Sequence, residues 1–230
     1  AVGGGRWAVG GSNIVLQRRR AARLYADVPT ARRTPLLHRV HISDIASHPH
    51  PREPGFHMNY YGAKQLAESW RTVRKNTIQV AEEIPEEQYG FRASADTMTV
   101  GEQLAHMATS PLWAVLMIFE EKKDTVAAED FPRYVGYSGK AAAALTSKRA
   151  TVDALRSNGD DLASRLEGVT EDELAGTVTM PNGSKSRFEI LLGLKEHEMH
   201  HRAQLMLIQR MIGIVPHLTR ARMERMAATR

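Results

Sequence analysis

Three histidines carry the chemistry of this sequence: His106, and the pair His197 and His201 four residues apart. A spacing of four puts the pair on one helix face a single turn apart, so both rings reach one divalent ion at about 2.0–2.1 Å. The pair lies on the stripe Leu194, His197, His201, Leu205, Ile208 and Ile212, at positions where the pattern calls for leucine. Burying two imidazoles without partners costs on the order of 1–3 kcal/mol each, so something must satisfy them. His106 falls on a second stripe, Thr99, Gln103, His106, Ser110, Trp113 and Met117, which is unusually polar for an inward face. Three imidazoles converging from two helices suit a metal with one open coordination position. Gln103, Ser110 and Trp113 are the expected lining around it. Gln204 is placed to hold a ligand's second nitrogen, and Arg202 to meet an anionic substrate group or simply solvent. His200 falls about 100° from His201 around the helix, at the rim.

Two other metal chemistries compete for the same residues. His197-Glu-Met-His-His201 matches H-E-x-x-H, in which Glu198 is the general base of a metallopeptidase. The longer form of that motif needs glycine and a third histidine where this chain has Gln204 and Leu207. Glu198 is kept as a proton acceptor should it turn toward the ion. A di-iron bundle needs two Glu-x-x-His halves; Glu198 and His201 form one, but Glu102 and His106 are four apart.

The elements that must position these side chains are helices. Leu66, Trp70, Val73, Thr77, Val80 and Ile84 advance by alternating fours and threes along a helix over about 60–84, ended by Pro85. Thr99 and Glu102 form a capping box opening a second helix to about Lys122. Within it Pro111 frees the Met107 carbonyl and predicts a bend just after His106. Lys148, Val152, Leu155, Gly159, Leu162 and Leu166 draw a third helix capped by Thr146 or Ser147, in which Gly159 is either a weak point or a site of close helix approach. Thr177–Met180 and the Pro-Asn-Gly-Ser that follows predict a short strand and turn. Ser186 and Glu189 then cap a fourth helix to about Ile212, closed by Gly213 and Pro216, with a short terminal helix over 217–227. The fold class is all-α, an antiparallel four-helix bundle with long connections over about 123–146 and 167–186, lengths that often carry function.

The charge of the 230-residue chain is uneven. Residues 1–57 hold nine Arg, no Lys and three acids, a balance of +6 against +5 for the whole, leaving 22 basic and 23 acidic residues in 58–230. The first 57 residues therefore read as a basic, disordered leader, broken by Gly3–Gly5 and five prolines, before a near-neutral domain over 58–230. The chain starts without Met, and Met58 directly precedes the first helical pattern, so the leader also reads as translated upstream sequence. No basic stripe on a folded face suggests nucleic acid. No apolar run approaches a membrane span, and no secretory signal is present, so a cytoplasmic location is expected. With no cysteine, disulfides, thiolate ligands and a cysteine nucleophile are excluded.

Over about 58–227 the chain resembles the DinB family, through Thr99-Val-Gly-Glu-Gln-Leu-Ala-His106, His197-Glu-Met-His-His-Arg-Ala-Gln204 and Arg210-Met-Ile-Gly-Ile-Val-Pro216. Ala203 stands where that family usually has glycine. The resemblance implies a four-helix bundle whose divalent ion, zinc or nickel, is held by His106, His197 and His201, in a homodimer. It also implies a choice of activities: transferases or isomerases that use low-molecular-weight thiols, metal-dependent hydrolases, or a non-catalytic metal-stabilised binding or stress-response module. The enzymatic reading expects a small electrophilic substrate, with any sulfur nucleophile brought by a cosubstrate.

Overall fold

The computed structural model describes residues 61–229, so the expected basic leader lies outside the described residues. The described residues are mostly helical, with one two-stranded sheet. Helix α1 spans Ala63–Glu83 and buries the expected stripe from Leu66 through Trp70, Val73 and Thr77 to Val80. Helix α2 spans Val100–Thr109 and starts on its capping box, with Glu102 N donating to Thr99 Oγ1 at 3.1 Å and Thr99 N to the Glu102 carboxylate at 2.7 Å.

Helix two does not continue to Lys122 as the sequence suggested. It stops at Thr109, resumes for one short turn (α3, Leu112–Ala114) and passes into a wide π turn over Val115–Glu120. Pro111 is the cause, since it offers no N–H to the carbonyl four residues back. That carbonyl, Met107 O, instead accepts from Arg74 Nη2 of α1 at 3.2 Å, and Ala108 O accepts from Asn158 Nδ2 at 3.0 Å.

The long connections also contain structure that the sequence did not show. Helix α4, Phe131–Ala143, fills most of 123–146, with Pro132 in its first turn and only Tyr134 and Ser138 buried. It is fastened at its start, where Arg133 and the Tyr134 hydroxyl both donate to Glu121. Helix α5 (Lys148–Glu167) follows, with the Ser147 hydroxyl accepting from Ala150 N. The second connection holds a short helix α6, Glu171–Ala175, and the expected strand β1, Thr177–Met180, paired antiparallel with β2, Gly183–Ser186. Gly183 sits at φ +126°, a conformation that side chains resist. The two connections are tied together, because Val126 N donates to Thr179 O and Thr179 N to Asp124 O, both at 2.8 Å.

Helix α7, Arg187–Met211, begins on the Ser186–Glu189 capping box and ends at Gly213, φ +85°, where Ile214 N donates back to Gln209 O at 2.7 Å. Helix α8 covers His217–Ala228. Helix α1 packs on α5 and α7, and α2 packs on the same two. One apolar cluster surrounds Leu66, Trp70, Leu162, Leu166 and Leu191; another surrounds Val80, Ile84, Leu104, Met107 and Leu205. Among the described residues, no helix is long and apolar enough to cross a membrane.

Gly159 is a site of close approach. Its carbonyl accepts from Trp70 Nε1 at 2.9 Å, and a Cβ there would lie 2.6 Å from Arg74 Cγ. Alanine gains about 1 kcal/mol of helix propensity. Overpacking against a side chain pinned at several points costs about 1–3 kcal/mol. Gly159→Ala is therefore expected to destabilise by up to about 2 kcal/mol, the difference of those two ranges, read by denaturant unfolding; a stabilised variant would show that the contact yields freely.

Candidate metal centre

Helix α2 contributes His106 and helix α7 contributes His197 and His201, and the three side chains meet. His197 Nε2 lies 3.1 Å from His106 Nε2 and 3.1 Å from His201 Nε2. One nitrogen from each ring falls within 4.8 Å of the other two, the one such group of potential metal ligands among the described residues. The rings stand edge to face with centroids 4.5–4.9 Å apart. Ligands about 2.0–2.1 Å from a tetrahedral ion sit roughly 3.3 Å from one another, so the observed spacing fits one ion.

The surroundings orient the rings for that task. His201 Nδ1 lies 3.1 Å from both Gln204 Oε1 and Gln103 Nε2; because the two Gln103 hydrogens go to the His201 carbonyl and to Gln204, Nδ1 carries its own hydrogen toward Gln204 and Nε2 presents its lone pair to the trio. Gln103, almost fully buried, donates to the His201 carbonyl and to Gln204, completing a chain from α2 to α7. Ser110 Oγ lies 3.5 Å from His197 Nδ1, on the side of that ring away from the trio. Gln103, Ser110 and Gln204 thus all touch ligand candidates. The exposed His200 contacts Gln204 and stays outside the group.

Burial, and then the neighbouring rings, lower the pKa of His197 to about 4; burial first also lowers His106 and His201. The trio is thus held as neutral lone-pair donors. A histidine unfolds to a pKa near 6.5. The unfolded chain therefore binds more protons than the folded one between about 6.5 and 4, and stability is lost as pH falls through that window. Metal-free protein should melt progressively lower from pH 7 to pH 4, and the His197→Gln variant should show a shallower decline. Identical slopes in thermal melts would remove His197 from this account.

Two expected residues face elsewhere. Glu198 does not turn toward the trio: one residue on from His197 it points to α1, where its buried carboxylate pairs with Arg74 at 2.7 Å. Burial pushes its pKa up, while Arg74 and Thr77 oppose the rise. Arg202 Nη1 donates to Val73 O of α1 at 2.9 Å. Arg74 itself was not anticipated. From α1 it donates to Leu155 O of α5 and Met107 O of α2, and pairs with Glu198 of α7, so one guanidinium joins its own helix to three others. Two of its contacts, Met107 and Glu198, immediately follow His106 and His197.

A cleft of about 460 Å³ opens beside the trio, and His106, His197, Ser110 and Trp113 all line it. Its outer walls are α4 and the β-hairpin, through Val135, Ser138, Met180 and Lys185. A model of the DinB superfamily matches residues 69–205, from mid-α1 to past His201 and Gln204. The chain belongs to the DinB superfamily. Its fold is similar to that of a solved protein from Exiguobacterium sibiricum 255-15 assigned to the DinB family, at TM-score 0.50 and 19% identity, covering 66% of this chain and 93% of that one. No curated protein matches the chain. The DinB match spans all three histidines, and the structure brings them to one point.

Proposed function

We propose that this DinB-superfamily chain is a metal-dependent enzyme, with α1, α2, α5 and α7 arranged as an antiparallel four-helix bundle around His106, His197 and His201. The observation that carries it is the convergence of three neutral imidazole nitrogens at the wall of a ligand-sized cleft. A divalent ion there supplies Lewis acidity, lowering the pKa of a bound water or thiol to make a nucleophile near neutral pH. Zinc or nickel suits three imidazoles. The chain's own residues do the rest. Gln204 holds the His201 tautomer, Ser110 lies against the outer nitrogen of His197, and Gln103 braces Gln204 against α2. The substrate side, with Trp113 and the hairpin, shields a small electrophile from water.

With no cysteine in the chain, a sulfur nucleophile must be a low-molecular-weight thiol cosubstrate, and the hydrolytic alternative uses water. A homodimer, implied by the family resemblance, would cover the exposed Leu207, Met211 and Val215; a cytoplasmic location suits the thiol chemistry. Zinc- and nickel-loaded protein should consume thiol with chlorodinitrobenzene, or hydrolyse a nitrophenyl ester, and lose that activity on chelation. Stoichiometric metal binding that raises the melting temperature, with no turnover of either substrate class, would instead mark a metal-stabilised binding module.

A further inference from the structure

The cleft beside the trio has a chemical bias that the histidines do not explain. Among its lining residues there is no Asp or Glu, whereas Lys185 of β2 stands at its hairpin wall. The nearest acid along the chain, Glu189, is engaged in the capping box, accepting from Ser186 N at 2.7 Å and Ser186 Oγ at 2.8 Å; Lys185 acts on it only at longer range and makes no close ion pair among the described residues. The remaining surface is largely apolar: Trp113, Val135, Ala142, Met180, Ile190 and Leu194. Two further polar residues interrupt it, Ser110 beside His197 and Ser138. Ser138 of α4 is only 8% exposed, and its Oγ has no hydrogen-bond partner. A buried hydroxyl left unpaired costs about 1–3 kcal/mol, so a ligand that pairs with it recovers that cost.

We infer that the cleft selects a small organic acid: an apolar group packed against Trp113 and Ile190, a mid-chain carbonyl or hydroxyl for Ser138, and a carboxylate directed at Lys185. About 460 Å³ is the size of a small-molecule site. The walls that carry the selectivity, α4 and the hairpin, come from the two long connections, which are hydrogen-bonded to one another through Val126 and Thr179. The groups that read the ligand's polar ends, Ser138 and Lys185, are thus carried by parts of the chain separate from the metal-bearing helices.

The inference deepens the proposed function, resting on the cleft as the substrate's approach to the trio, but its test does not need the metal. N-phenylacetylglycine carries all three groups, and its primary amide lacks only the charge. Calorimetry on both metal-loaded and chelator-treated protein should show the acid binding roughly three- to fivefold tighter than the amide, the range for a solvent-facing charge pair, with the preference shrinking in high salt. Lys185→Glu should reverse that preference. Ser138→Ala should weaken acid and amide alike by roughly three- to tenfold, the equivalent of one hydrogen bond, leaving their ratio unchanged. Equal binding of acid and amide, or a ratio untouched by Lys185→Glu, overturns the inference. An acid preference seen only when metal is present would also overturn it, because the carboxylate would then be coordinating the ion. Loss of metal binding with the acid preference intact would defeat the proposed function and leave this inference standing.

Discussion

His201→Ala is expected to bind no zinc or nickel under conditions where the wild-type protein holds about one ion per chain, as read by elemental analysis after gel filtration. The effect should be the largest of any single substitution at the site. His201 shares its Nε2 position with His197 at 3.1 Å, and the nearest carboxylate in sequence, Glu198, is committed to Arg74 and is not free to replace it. The neighbours should give a graded series. Gln204→Ala leaves the ligand in place but frees its tautomer and should weaken binding about 10- to 100-fold, the usual cost of removing an outer partner. His200→Ala should leave stoichiometry unchanged, since that exposed ring touches only Gln204 and His201 from outside the group. Stability separates ligation from folding. Metal at 100 times its dissociation constant should stabilise the wild type by about 2.7 kcal/mol and His201→Ala not at all. Undiminished metal in His201→Ala would remove the trio as the binding site. Protons should also compete late: because the folded rings sit below their ordinary pKa, with His197 at about 4, occupancy should survive below pH 6.5 and fail as pH approaches 4.

The parts legible in the sequence are those whose cause is local. Helices α1, α5 and α7 carry apolar residues at helical spacing, and the Thr99–Glu102 and Ser186–Glu189 capping boxes mark the starts of α2 and α7. The pair at His197 and His201 is likewise a one-turn relation, and Gln204 one turn beyond holds His201 as expected. What was not legible is non-local. Helix α4 buries only Tyr134 and Ser138, too few for a stripe, and is held by Glu121 from outside the helix. The direction of Glu198 was open in the sequence because H-E-x-x-H describes spacing along one helix, whereas an arginine on another sets where the side chain points. Arg74 has partners 33 and 81 residues away, so no window of sequence shows its role. Three clues pointed at it separately: a glycine on the α5 core stripe, a proline that frees a carbonyl on α2, and an acid on the buried side of α7. Each makes room or demand for one cation, and only the packing joins them.

Arg74→Met should accordingly destabilise the fold by about 3–5 kcal/mol, the cost of leaving a buried charge without its partner. The guanidinium is 4% exposed at its side chain and the Glu198 carboxylate 2%, so neither charge finds water when the other is removed. Burial already pushes the Glu198 carboxyl up, and without Arg74 only Thr77 and Arg202 oppose that rise, so it should take up a proton more readily than in the wild type. The double variant Arg74→Met, Glu198→Leu separates the charge from the rest, since apolar replacement of a whole buried pair is often neutral. It should recover much of the loss but not all, because Met107 O loses Arg74 and Pro111 has no N–H to offer in its place. Leu155 O does not add to that residue, as it lies inside α5 with a helical partner available. The consequence reaches the histidines: Arg74 grips the residues that follow His106 and His197, so the folded double variant should bind metal about 10- to 100-fold more weakly. Denaturant unfolding and metal titration of the same preparations check both parts. A double variant that is as unstable as Arg74→Met would show that the ion pair is not what the arginine contributes; one that binds metal as tightly as wild type would show that the helices hold the trio without it.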